Sequence, residues 1–287
     1  MIFTEEALVF QVAGDHLLGI VAKPDFPVDC GVLIVVGGPQ YRAGSHRQFL
    51  LLSRRLAAEA YPVMRFDYRG MGDSGGAMRD FDAVGEDIEA AVDAFQLACP
   101  MVKRVVLWGL CDAASAALLY VQASRDLRIA GLVLLNPWVR SVASLAQTHI
   151  RHYYGQRLLQ KVFWIKLLSG KLQVLKSLQG FLNSLLQARG KSVHKENLSH
   201  SFQDLMAEGL KQFPAGVLLI LSGQDYTARE FVDYVSSNAA WKGLTPAAKV
   251  TRIEVEDADH TFSSRVLRLA VEEITKAWLD SLRGSKG

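Results

Sequence analysis

Cys111, Asp225 and His260 are the residues of this chain whose types and order suit nucleophilic acyl chemistry. A thiolate attacks a carbonyl carbon, an imidazole handles the proton, and a carboxylate orients the imidazole. Cys111 lies in Gly109-Leu110-Cys111-Asp112-Ala113. This is the nucleophile-elbow pattern G-x-S-x-G with Cys for Ser and Ala for the second Gly. A nucleophile on a sharp strand-to-helix turn has crowded backbone, so the positions two before and two after it must be small. Such a turn holds the side chain at a helix N-terminus, where unpaired amides and the helix dipole favour a thiolate. The competing reading of a lone Cys after a strand is a small core residue.

The flanking segments are of the kind that could hold these groups. Residues 105–108 (VVLW) read as a buried strand and 113–120 (AASAALLY) as a helix. Upstream, residues 6–12 and 16–23 flank Gly14-Asp15 and read as two antiparallel strands. Residues 31–36 (GVLIVV) form a continuous apolar run ending in Gly37-Gly38-Pro39-Gln40, and 63–67 form the next strand. Residues 46–60 and 84–98 read as helices, and 129–136 as a strand. Past a break in the alternation, 216–221 is a strand ending near Asp225, and 230–237 is a helix. Residues 249–255 form a strand that runs into His260, and 266–282 form a closing helix. Strand–helix alternation around apolar runs predicts a mostly parallel sheet covered on both faces. Ligands bind at the carboxyl ends of such strands, where each candidate group falls.

Composition sets the boundaries. Half of the 287 residues are hydrophobic, enough for a large core. Three cysteines with no ligand-like spacing fit neither a zinc site nor a disulfide framework, and no metal or cofactor is expected. His149, His152 and His194 likewise lack ligand spacing and read as surface residues. The N-terminus has no signal-peptide pattern and no window is long and apolar enough to span a membrane, so a reducing, cytoplasmic setting is expected. Residues 137–200 hold ten Lys/Arg and one Glu, a net +9, against −6 for the rest of a chain of net +3. This basic stretch marks an inserted segment, 138–212, between core segments 1–137 and 213–287. Its stripe Leu168, Leu172, Leu175, Leu178, Leu182 and Leu185 fits one helix face. A helix packing over the site is the favoured reading of that stripe, and peripheral contact with anionic lipid the other. Acidic polysaccharide or an anionic acyl carrier also suits the charge. Nucleic acid is not expected, since the body has no basic patch interleaved with aromatics.

The order nucleophile, acid, base, with an insertion before the acid, resembles the α/β-hydrolase superfamily. The resemblance implies an α/β-hydrolase fold: a mostly parallel eight-stranded sheet, helices on both faces, and an inserted helical cap. It implies Cys111 as nucleophile, His260 as base and Asp225 as the acid that orients it. Asp257 and Asp259 also flank His260, but a neighbouring residue rarely reaches the same ring nitrogen. Val36-Gly37-Gly38-Pro39 resembles the superfamily's H-G-x-P oxyanion loop with Val for His, which makes the backbone N–H of Gly38 and of Asp112 the oxyanion donors; Pro39 has none to give. The Asp112 carboxylate would either repel an anionic substrate or face solvent, and Ser115 reads as a small packing residue. Arg42 and Gln40 are candidate substrate ligands, with a solvated loop charge the alternative for Arg42. Asp67-Tyr68-Arg69-Gly70-Met71-Gly72-Asp73-Ser74 resembles the superfamily's D-x-R-G-x-G-x-S turn beside the site.

Residues 37–49, 65–76, 105–120 and 131–140 together resemble the type 1 hydrolase associated with exosortase A systems, bacterial clusters that couple exopolysaccharide production to protein sorting. The expected activity is hydrolysis of an ester or thioester, on a small-molecule or carrier-linked acyl donor, through an acyl-Cys intermediate. Acyl transfer by the same residues, or a non-catalytic binding protein on the same fold, are the alternatives. Val36 and Ala113 are the departures that favour binding, and the complete Cys, Asp and His set favours catalysis.

Overall fold

The computed structural model describes residues 2–38, 40–140, 201–245 and 247–284. The cap stripe and the three histidines of the insertion lie outside these residues. β1 (Phe3–Val12) and β2 (Asp15–Pro24) pair antiparallel, in register from Phe3 opposite Pro24 to Val12 opposite Asp15. Their turn is Ala13-Gly14, one residue earlier than the sequence suggests. Both turn residues have positive φ, 50° and 92°, which matches the twist of a two-residue hairpin.

The remaining strands are β3 (Cys30–Val35), β4 (Val63–Phe66), β5 (Arg104–Leu110), β6 (Ile129–Leu135), β7 (Gly216–Ser222) and β8 (Val250–Val255). They form one eight-stranded sheet of order β1-β2-β4-β3-β5-β6-β7-β8. β2 meets β4 antiparallel, and every pair from β4 to β8 is parallel. Every residue of β3 and β4 is buried, because helices cover both faces.

Alternate side chains of the central strands feed two cores. Leu33, Leu107, Leu134 and Leu219 pack with α2 (Gly85–Ala98), α3 (Asp112–Ser124), α4 (Phe202–Gln212) and α5 (Tyr226–Ser237). Ile34, Trp108, Val133 and Ile220 pack with α1 (Gln48–Ala58) and α6 (Arg265–Gly284) on the other face. Two starts differ from the sequence reading. The turn before α1 is a 3₁₀ turn, Ser45–Arg47, with His46 and Arg47 at positive φ. α5 begins four residues earlier than expected because Asp225 caps it.

The chain groups into two compact units, Met1–Val139 with Phe202–Gly287, and Arg140–Ser201. The 138–212 insertion read from composition is therefore too long at its C-terminal end. α4 belongs to the first unit: its Met206, Ala207 and Leu210 are buried in the core, and a Cβ on Gly209 would lie 2.4 Å from the Leu118 carbonyl oxygen of α3. β3 pairs with β4 on one side and β5 on the other, so successive crossovers diverge there. That divergence opens a crevice at the carboxyl ends of the strands. No helix of the described residues is long and apolar enough to cross a membrane.

Candidate active site

Cys111 sits between the last residue of β5 and the first of α3, at φ 62° and ψ −123°. A non-glycine residue held there costs on the order of 1–3 kcal/mol, so the surroundings must enforce it. They do so through the backbone. The Cys111 N–H donates to the Leu135 carbonyl at 2.8 Å, and its own carbonyl accepts from Ala114 at 3.1 Å. A Cβ on Gly109 would lie 2.6 Å from the Ala113 carbonyl carbon, so the strand can approach the helix this closely only with glycine there. Ala113 is buried against the same contact. Cys111 is half-buried, while Cys30 and Cys99 are buried in the core. Among the described residues, no three His, Cys, Asp or Glu side chains group as metal ligands would.

Asp225 and His260 approach each other because the loops after β7 and β8 touch. The Gly223 N–H donates to Val255 O at 2.9 Å, and the Gln224 N–H to Ala258 O at 2.9 Å. A Cβ on Gly223 would lie 2.1 Å from the Glu256 carbonyl oxygen. The Asp225 carboxylate caps α5, accepting the N–H of Thr227 and of Ala228, both at 3.1 Å. Its Oδ2 also lies 2.8 Å from His260 Nδ1. Burial pushes the Asp225 carboxyl up, but His260 and the two amides outweigh burial and hold it below its ordinary value. The His260 imidazole is pushed up to about 10, first by its bond to Asp225, then by Cys111, against burial. Asp259 does not serve the imidazole. Its carboxylate takes the N–H of Thr261 (3.1 Å) and Ser263 (2.9 Å) and the Ser263 hydroxyl, which shapes the histidine's own turn. Asp257 is exposed.

The N–H of Gly38, the expected oxyanion donor, already has an acceptor: it donates to Asp112 Oδ2 at 2.8 Å. The Asp112 carboxylate, expected either to repel an anionic substrate or to face solvent, is instead turned onto this amide. A Cβ on Gly37 would lie 2.0 Å from Asp112 Oδ1, so glycine makes room for the carboxylate. That Oδ1 is buried with no hydrogen-bond partner. Burial raises the Asp112 pKa, against the pull of the Gly38, Ala113 and Asp112 amides and of His260.

Arg42 and Gln40, the candidate substrate ligands, both have internal partners. The Arg42 guanidinium bonds Asp67 through Nη1 and Asp73 Oδ2 through Nη2 at 2.7 Å, and its N–H donates to Asp67 Oδ1 at 2.6 Å. Gln40 Oε1 accepts from the Ser45 N–H (3.1 Å) and hydroxyl (3.3 Å). Both side chains brace the loop that leads from Gly38 to α1. Ser115 is buried, as expected of a packing residue, and its hydroxyl also donates to Trp138 O at 2.7 Å.

The alpha/beta hydrolase family profile matches residues 32–270, which spans the elbow and both partner loops. The chain belongs to this family. No curated protein matches it. Solved structures resemble it in fold. The esterase Pf2001 of Pyrococcus furiosus superposes with a TM-score of 0.63 at 19% identity, covering 97% of this chain and 90% of that one. A thermophilic esterase from Thermogutta terrifontis gives 0.56 at 16%, covering 96% and 99%. An alpha-beta serine hydrolase homologue from Coxiella burnetii gives 0.55 at 14%, covering 96% and 97%.

Two further features of this alpha/beta hydrolase complete the site. Asn136, the residue after β6, was missed in the sequence. It is fully buried at φ 44°, with its Oδ1 accepting the Ser222 N–H (2.9 Å) and its Nδ2 donating to Ser222 Oγ (2.8 Å) and His260 O (3.4 Å). It ties the ends of β6 and β7 to the histidine loop. The available signal was a lone amide ending an all-apolar strand, before Pro137. The 67–74 turn is a self-contained knot. Buried Asp67 also accepts the Asp73 N–H at 3.1 Å, and a Cβ on Gly72 would lie 2.3 Å from its Oδ2. Arg69 bonds Asp87 (Nε to Oδ1, 2.6 Å) and Glu86, and the Ser74 hydroxyl donates to Asp67 O at 2.6 Å.

Proposed function

We propose that this alpha/beta hydrolase cleaves an ester or thioester bond through an acyl-Cys111 intermediate. The observation that carries the reading is the His260 imidazole, 2.8 Å from Asp225, with its pKa raised by Asp225 and by Cys111, which stands at a strained elbow. The Cys111 sulfur attacks the acyl carbonyl, either as the thiolate of a Cys111–imidazolium pair or as His260 takes its proton. Asp225 keeps the proton on Nδ1 and stabilises the imidazolium. The carbonyl oxygen becomes an oxyanion facing the N–H groups of Gly38 and Asp112; removing one such donor typically costs roughly 3–4 kcal/mol. As the C–O or C–S bond breaks, His260 protonates the leaving alcohol or thiol. Water then attacks the acyl-Cys111, His260 takes its proton, and the carboxylic acid leaves with the thiol restored. Esterases of the same fold support this class of bond.

The resemblance to exosortase-associated hydrolases supports a substrate from bacterial exopolysaccharide metabolism, presented as a small molecule or on an acyl carrier. On this reading the chain works in the cytoplasm, where Cys111 stays a thiol, and the basic insertion, 140–201, binds the anionic part of the donor.

Single-turnover reaction with p-nitrophenyl and acyl-thioester donors, read by intact mass, tests the assignment. Wild type should gain one acyl group and Cys111→Ala none. An adduct that survives in Cys111→Ala, or no adduct with donors of any chain length, would overturn it.

A further inference from the structure

We propose that the Asp112 side chain is a plug in the oxyanion hole: its carboxylate fills the hole in the free protein, and the substrate carbonyl must displace it. The inference rests on the catalytic reading above and adds a determinant of substrate affinity to it. Three observations carry it. Asp112 Oδ2 sits 2.8 Å from the Gly38 nitrogen, the donor that an acyl oxygen would need. The carboxylate occupies the space above Gly37 so closely that a Cβ there would fall 2.0 Å from Oδ1. That second oxygen is buried and makes no full hydrogen bond, although the Ala113 and Asp112 amides attract the carboxylate, and this placement has a desolvation cost that favours release once a competing acceptor arrives.

The exchange has a direction that kinetics can read. A neutral ester carbonyl is a weaker acceptor than a carboxylate, so the plug competes strongly with bound substrate. The tetrahedral oxyanion carries a full charge and competes on equal terms. Only the fraction of molecules with an open hole binds substrate productively, so the plug raises the apparent KM. A charge-assisted hydrogen bond corresponds to roughly ten- to hundredfold in such an equilibrium. The side chain is replaceable without losing the second donor, since the Asp112 N–H belongs to the backbone.

Asp112→Ala and Asp112→Asn test the plug with two independent readouts. In ¹⁵N-glycine-labelled protein, the Gly38 amide proton should move upfield in both variants, further in Asp112→Ala, because its carboxylate acceptor is gone. With p-nitrophenyl acetate, KM should fall roughly ten- to hundredfold in Asp112→Ala and less in Asp112→Asn. The second-order rate of Cys111 alkylation by iodoacetamide, which needs no oxyanion hole, should stay within a few-fold of wild type. An unmoved Gly38 resonance, or a KM at or above the wild-type value, would overturn the plug. If neither wild type nor Asp112→Ala forms an acyl-Cys111, the catalytic reading falls, and the Gly38 resonance alone decides whether the carboxylate fills the hole.

Discussion

Asn136→Ala should cost more than its distance from the nucleophile suggests. Asn136 is 0% exposed and its partner Ser222 is 2% exposed, so water cannot replace what the amide provides. The substitution removes the bonds to Ser222 N at 2.9 Å and to Ser222 Oγ at 2.8 Å, each worth about 1 kcal/mol. It also strands the Ser222 N–H, a further ~1–3 kcal/mol. Together they predict a loss of roughly 3–5 kcal/mol, which chemical denaturation measures as a lower midpoint at unchanged slope. The contact with His260 O at 3.4 Å is lost as well, so single-turnover acylation of Cys111 should slow in the folded variant. Asn136→Gly separates the two roles of the residue. Glycine suits the φ of 44° but lacks the amide, so its loss should match that of the Ala variant within about 1 kcal/mol. Wild-type stability in Asn136→Gly would refute the hydrogen-bond argument and leave only the backbone conformation.

Gly109→Ala should destabilise by at least ~2 kcal/mol, because the new Cβ meets only backbone, at 2.6–2.7 Å on Ala113 and Ala114. A shifted α3 should also slow acylation about a hundredfold, and near-wild-type values in denaturation and single turnover would count against the close-approach account. Arg42→Ala should cost roughly 3–5 kcal/mol, since it leaves the buried Asp67 carboxylate without its guanidinium. Here denaturation and steady-state kinetics discriminate: intact stability with a raised KM would return Arg42 to substrate binding. The His260–Asp225 pair makes stability pH-dependent. The His260 pKa rises from 6.5 to about 10 on folding, so its contribution is complete below about 6.5 and fades as pH climbs toward 10. The Asp225 pKa is lowered from 3.8, so its share is lost on acidification below about 4. The stability gap between wild type and His260→Gln should therefore be widest from about pH 4 to 6.5; a gap that widens above pH 8 would contradict this sign.

What the sequence discloses follows from burial. β3, β5 and β7 are covered on both faces, so they appear as short, nearly unbroken apolar runs. Cys111 was recognisable because steric crowding forces small residues at 109 and 113, and that demand is local. The same locality explains what stayed hidden. Asp225 reads as a candidate acid from its place after a strand, but its second role as the cap of α5 shows only when Thr227 and Ala228 turn their amides toward it. Asn136 gives only a weak signal, a lone amide at the end of an apolar strand, because its partners lie 86 and 124 residues away. The extent of the insertion was misjudged at α4 for a related reason: charge marks where composition changes, whereas Gly209 against Leu118 marks where packing begins.

The motif residues divide accordingly. Asp67, Arg69, Gly72 and Ser74 look like part of a reactive centre, yet each is committed to another group in its own loop or in α2. Arg42 is drawn into the same knot, so the loop after Gly38 and the turn after β4 hold one another in place. A buried charge with a partner is costly to disturb from either side, which makes these positions demanding without making them reactive. Cys111 and His260 differ in kind. The cysteine is held at a backbone angle that nothing but its neighbours enforces, and the imidazole is held at Nδ1 by a carboxylate and has its pKa raised by Asp225 and by Cys111. Substitutions in the knot should therefore move stability and acylation together, while Cys111→Ala should abolish acylation in a protein that still folds.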